Sequence, residues 1–170
     1  MAYNTTYTKY NERPKSTLEY SKYRVRGQIK SFRDLEIYQK TTELASQIIL
    51  LDLPQTLPQK KSIEQELNLL QETSKQIPVA IAESYGDKFT NRQLAYQKLE
   101  LAMQKISQVI SKLDLIIAMT NHSETKQTII KIINQYQIQK RKTLNLKKAW
   151  VKTDEKYLNT DNQNDPIKNT

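Results

Sequence analysis

Ala95-Tyr-Gln-Lys-Leu-Glu-Leu-Ala-Met-Gln-Lys-Ile-Ser-Gln-Val-Ile-Ser-Lys-Leu-Asp-Leu-Ile-Ile117 is the stretch that decides the fold. Ala95, Leu99, Ala102, Ile106, Val109, Leu113 and Ile116 recur at alternating four- and three-residue intervals. That spacing returns each side chain to one side of an α-helix. Tyr96, Met103, Ile110 and Ile117 run beside this seam, seven residues apart. The apolar face is therefore as wide as a buried bundle helix requires. A helix over 90–120 has a length of roughly 45 Å and sets the long axis.

Upstream, Ile63, Leu67, Leu70, Ser74, Ile77, Ile81 and Ser84 repeat the spacing and predict a helix over 59–85. An unbroken heptad of this kind means near-parallel packing at a crossing angle of roughly 20°. Pro78 lies inside it and should kink the helix without ending it, while Gly86 is a natural stop. Further upstream, Ser31 with Asp34 three residues on forms a capped start for a helix over 32–51. Leu35, Tyr38, Thr42, Ala45 and Ile49 make one stripe on that helix. Ile37, Leu44, Ile48 and Leu51 make another, about 120° around at ~100° per residue. Downstream, Asn121 with Glu124 opens a fourth helix, 123–148, through Ile129, Ile130, Ile132, Ile133 and Tyr136. Its apolar pattern then thins to Lys140-Arg141-Lys142 and Lys147-Lys148, with Leu144, Leu146 and Trp150 interspersed.

Short links at 52–58, 86–90 and 120–123 favour antiparallel neighbours. The expectation is an all-α protein: an antiparallel up-down-up-down four-helix bundle over 31–149, with flexible tails. Residues 1–30 read as a flexible basic arm rich in tyrosine and 150–170 as a disordered polar tail. Composition agrees, since 170 residues contain two glycines and five prolines, too few for a chain of hairpins. The hydrophobic fraction of 37% leaves part of the chain unpacked.

The absence of cysteine excludes disulfides and thiolate metal sites. No apolar leader or membrane-length run occurs, so a cytoplasmic protein without a membrane partner is expected. His122 is the single histidine and has no acid or oxyanion partner legible beside it. Glu83 and Asp87 share a helix face and read as a solvated pair. Neither the glutamate-x-x-histidine pairs of a di-iron bundle nor a glycine-rich phosphate loop is present. The sequence accordingly predicts no catalytic residues, no metal and no cofactor.

The net charge of +9 is unevenly distributed. Residues 1–33 carry eight Lys/Arg against two Glu, 34–125 carry nine against twelve acids, and 126–170 carry ten against four. Attraction to an anionic partner therefore belongs to the two ends. In the first, Lys9, Arg13, Lys22, Arg24, Arg26, Lys30 and Arg33 alternate with Tyr23 and other tyrosines. In the second stand Lys140, Arg141, Lys142, Lys147 and Lys148 beside Trp150. Rings that stack on bases, interleaved with cations that neutralise phosphates, suit a single-stranded nucleic-acid binder of low specificity.

Phe32-Arg-Asp-Leu-Glu-Ile-Tyr-Gln-Lys40, Ile77-Pro-Val-Ala-Ile-Ala-Glu-Ser-Tyr-Gly86 and Leu99-Glu-Leu-Ala-Met103 together resemble the bacterial four-helix-bundle proteins encoded in intervening sequences of 23S ribosomal RNA genes. The resemblance covers residues 31 to 140. It implies a ring-like homopentamer associated with RNA. A related branch, the accessory variability determinant of diversity-generating retroelements, implies nucleic acid and a reverse transcriptase as partners. This chain has Gln71, Glu72 and Asp87 where the family has basic residues, and Gln104-Lys105 where it has glycine-serine. The second stripe of the first helix, Ile37, Leu44, Ile48 and Leu51, suits a second neighbour in the same bundle or a subunit interface, and the ring assembly points to the interface.

Overall fold

The computed structural model describes residues 29–51 and 60–161, with side chains to residue 155 in the last helix. The chain divides between Lys30 and Ser31, and the helices among the described residues belong to the second unit. They are α1 (Glu36–Ile49), α2 (Lys60–Asp87), α3 (Arg92–Met119) and α4 (Ser123–Asp161), preceded by a 3₁₀ turn at Phe32–Asp34. No strand occurs among the described residues. The helices pack against one another, α1 and α3 each lying between α2 and α4.

Both long seams predicted from spacing are buried. Ile63, Leu70, Ile77 and Ile81 of α2 and Leu99, Ile106, Val109, Leu113 and Ile116 of α3 have no exposed surface. The buried hydroxyls of Ser74 and Ser84 donate to the carbonyls of Gln71 and Ile81 in their own helix, which removes the cost of an unpaired polar group. α2 continues through Pro78, itself buried, and through the exposed Gly86 to Asp87. The stop comes from the following turn, in which the Asn91 N–H donates to the Asp87 carbonyl at 2.7 Å and the Asn91 side chain caps Leu94 N–H at 3.0 Å.

α1 departs from its expected form in two ways. The Ser31–Asp34 capping box closes on the 3₁₀ turn, where Asp34 Oδ2 accepts from Ser31 N–H at 2.9 Å. Leu35 is then extended, and α1 begins only at Glu36. The second correction concerns the stripes. Ile37, Leu44 and Ile48 are buried in the chain's own core and Leu51 packs half-buried against it. Ile37, Leu44 and Ile48 are therefore taken up within the chain itself, while Thr42 and Ile49 of the other stripe are exposed. A helix between two neighbours buries one face wide enough for both, here Ile37, Thr41, Leu44, Ala45 and Ile48.

α4 is the largest departure. It passes the predicted end at 148 and runs through Asp161, so residues 150–161 are helical, and only 162–170 of the expected tail lie outside the described residues. Thr125, Ile129, Ile132, Tyr136, Gln139, Thr143 and Trp150 are buried and Leu146 is half-buried. These positions form an unbroken heptad seam. Three of its residues are polar, so it is hard to see by hydrophobicity alone. The helix also starts differently: His122 Nδ1, in place of the Asn121 side chain, accepts from Thr125 N–H at 3.3 Å and lies 2.9 Å from Thr125 Oγ1.

Candidate nucleic-acid interface

Between Ser123 and Glu155, α4 carries eight Lys/Arg against three Asp/Glu. Its heptad seam fixes where each cation points. Lys142 and Lys147 flank the seam and reach across to neighbouring helices. Lys142 Nζ meets Glu36 Oε1 of α1 at 2.5 Å, and Lys147 pairs with Glu100 of α3. Lys140 donates to the Ser107 hydroxyl of α3 at 2.7 Å, an uncharged partner that leaves its charge uncompensated. Arg141, Lys148 and Lys152 are exposed and have no acidic partner among the described residues.

These cations border an open groove between α3 and α4. One hollow, about 540 Å³, has Met103, Ile110 and Leu144 as apolar lining and Ser107, Lys140 and Arg141 as polar lining, with Asp114 the one acid. A second, about 510 Å³, shares Leu144 with it and is lined by α4 alone, with Lys147, Lys148, Val151 and Lys152 beside the acid Glu155. The row Met103, Ile110 and Ile117 of α3 is half-buried here, so the wide apolar face seen in the sequence is only partly covered by α4. A surface of this kind can neutralise phosphates at its rim and shelter the faces of sugars and bases along its floor.

At one end of the groove Tyr96 donates its hydroxyl to Asp154, and Arg92 Nε lies 3.5 Å from the same carboxylate. Burial, then the Asp154 hydrogen bond, pushes the Tyr96 phenol up to about 12. Trp150 closes this end over Ala95 and Leu99. On the opposite flank of α3 Lys98 and Lys112 are neutralised. Lys98 lies 2.6 Å from Asp87 and 3.1 Å from Glu83, whose hydrogen bonds raise its pKa, and Lys112 lies 3.0 Å from Glu66. Glu83, which stays exposed, and Asp87 thus converge on one lysine.

Of the cations singled out from the sequence, Lys9, Arg13, Lys22, Arg24 and Arg26, with Tyr23, lie outside the described residues. Lys30 and Arg33 are exposed, and the Arg33 guanidinium sits 5.9 Å from the centre of the Phe32 ring. Lys140, Arg141 and Lys148 are brought to one side of α4, whereas Lys142 and Lys147 are drawn into ion pairs. Lys152 was missed; it stands four residues after Lys148, a spacing that would have placed it on that side once the helix was extended. His122 is occupied as a helix cap. No cluster of three or more potential metal ligands occurs among the described residues, and no described helix is long and apolar enough to cross a membrane. No family model, curated protein or solved structure matches the chain.

Proposed function

We propose that this chain is a non-enzymatic nucleic-acid-binding scaffold, RNA preferred, which grips phosphates with the outer face of α4. The carrying observation is that Lys140, Arg141, Lys148 and Lys152 border an apolar-floored groove with no carboxylate paired to them among the described residues. The RNA preference and a cytoplasmic, ring-like homo-oligomer rest on the resemblance to the 23S intervening-sequence proteins. Oligomerisation would multiply a weak basic surface through avidity. Its contact surface lies elsewhere than on Ile37, Leu44 and Ile48.

The scaffold is read as an up-down-up-down bundle with flexible ends. Lys98 meets Asp87 and Lys112 meets Glu66, so late α2 adjoins early α3 and early α2 adjoins late α3. The pairs Lys147–Glu100 and Lys140–Ser107 support the same relation for α3 and α4, and Lys142–Glu36 brings early α1 beside the second half of α4. The basic arm, Lys9 to Lys30, adds further phosphate contacts.

The test is fluorescence anisotropy of a labelled single-stranded RNA across a salt series. Log affinity should fall with log salt at about −0.7 per phosphate neutralised. Alanine at Lys140, Arg141 and Lys148 should flatten that slope and removal of residues 1–30 should flatten it further. A slope unchanged by both variants refutes the reading.

A second reading is favoured by Leu94, Leu101 and Leu115, exposed on one side of α3 at intervals of seven and fourteen residues. Such a row suits a protein contact, either a second copy or a reverse transcriptase to which the chain is accessory. Pull-down of a salt-resistant protein partner after nuclease treatment would favour it.

A further inference from the structure

We propose that the turn joining α2 to α3 carries a stacking platform for an unpaired base, which makes single-stranded nucleic acid the ligand of this end of the bundle. The proposal rests on the nucleic-acid reading above. Phe89 is 71% exposed, at a corner where solvent would favour a polar side chain. The ring is held in place: Tyr85 meets it edge-to-face at 5.5 Å, and the Thr90 and Asn91 N–H groups fold the turn back onto the Asp87 carbonyl. Ordering of the ring is thus already met before a ligand arrives.

One cation lies beside it. The Lys88 ammonium lies 5.7 Å from the centre of the Phe89 ring and 4.8 Å from that of Trp150. Arg92, half-exposed, leans on Asp154, which also accepts from Tyr96. An exposed aromatic ring beside an ammonium held by ring faces, and by no carboxylate among the described residues, is an arrangement by which single strands can be held without base readout. A base inside a duplex is already stacked on both faces and cannot cover the ring. An unpaired base can, with its phosphate drawing Lys88 outward. Trp150, the single tryptophan, lies beneath that ammonium and reports its movement.

The test uses the full chain and three labelled probes: a single-stranded RNA of mixed sequence, that strand annealed to its complement, and that strand carrying abasic sites. The variants are Phe89→Leu, which keeps apolar bulk but removes the ring, and Phe89→Tyr, which keeps the ring. Phe89→Leu should weaken single-strand binding roughly 5-fold or more, the effect of losing one stacked base. It should leave duplex and abasic binding unchanged, Phe89→Tyr should bind as wild type, and Trp150 emission should change only with the intact single strand. Equal single-strand binding by Phe89→Leu and wild type, or an equal loss on the abasic strand, overturns the platform. If binding still falls in the Lys140, Arg141 and Lys148 alanine variant, the α4 reading survives that result. No binding of any RNA by the wild type overturns both.

Discussion

The two flanks of α3 both carry ion pairs, Lys147–Glu100 and Arg92–Asp154 on the α4 side, but differ in the cations that stand beside those pairs. Toward α2, Lys98 and Lys112 are matched by Asp87, Glu83 and Glu66 across the seam. Toward α4, Lys140 meets only a serine hydroxyl, and Arg141 and Lys148 meet no acid among the described residues. Covering differs in the same sense. The α2–α3 seam is the more extensive, while Met103 and Ile110 on the other side remain half-buried under an open groove. Ionic pairing on the first flank serves the fold, and the unmatched charge on the second is what the proposed function assigns to a partner. A count of lysines along the chain does not separate these two uses.

The contrast can be attacked through packing first. Trp150→Ala should cost about 3–5 kcal/mol, since it empties the small apolar cluster that fastens late α4 to α3. Urea denaturation would measure it, and hydrogen exchange should show α4 beyond Leu146 opening before α2 and α3. Leu44→Ala should cost about 2–5 kcal/mol, with no change in the mass found by light scattering. A loss of oligomer without loss of stability would return that residue to an interface.

Alkaline titration probes the α4 side specifically. Tyr96 is pushed up to about 12 from the usual 10.0, and burial raises Tyr136, whose hydroxyl finds no protein partner among the described residues, further still. Each phenol keeps its proton more firmly when folded. The stability they contribute is therefore full below about pH 10 and is lost as pH rises through their folded values. Thermal melts should be flat to that point and then fall, and Tyr136→Phe should reduce the fall. The smallest effect separates the charges: Lys112→Ala should cost up to about 1 kcal/mol and Lys148→Ala nearly nothing, because only the first removes a partly shielded pair.

How much of this was legible in sequence varied with how apolar each seam is. The α2 and α3 seams were read residue by residue, because aliphatic side chains fill almost every position. The apolar pattern of α4 was followed only to Tyr136 and the helix ended at 148, because Gln139 and Thr143 occupy seam positions. Thr143 is accommodated by donating to the Gln139 carbonyl, which composition cannot reveal. On α1 both stripes were visible, but which one faced inward depended on its having two neighbours. The cations of α4 were identified as residues and misplaced as a terminal extension. Their division into paired and unpaired sets follows from the heptad register, with Lys142 and Lys147 beside the seam and Arg141, Lys148 and Lys152 away from it.

The most direct test compares the flanks in one assay. RNA affinity is measured against salt for the wild type, for Arg141 and Lys148 both changed to alanine, and for Lys98 and Lys112 both changed to alanine. With equal charge removed, the first variant should lose affinity and about 0.7 of salt slope for each phosphate contact deleted, and the second should bind as wild type while melting earlier. Equal losses from both variants, or none from the first, would contradict the assignment of α4 as the binding face.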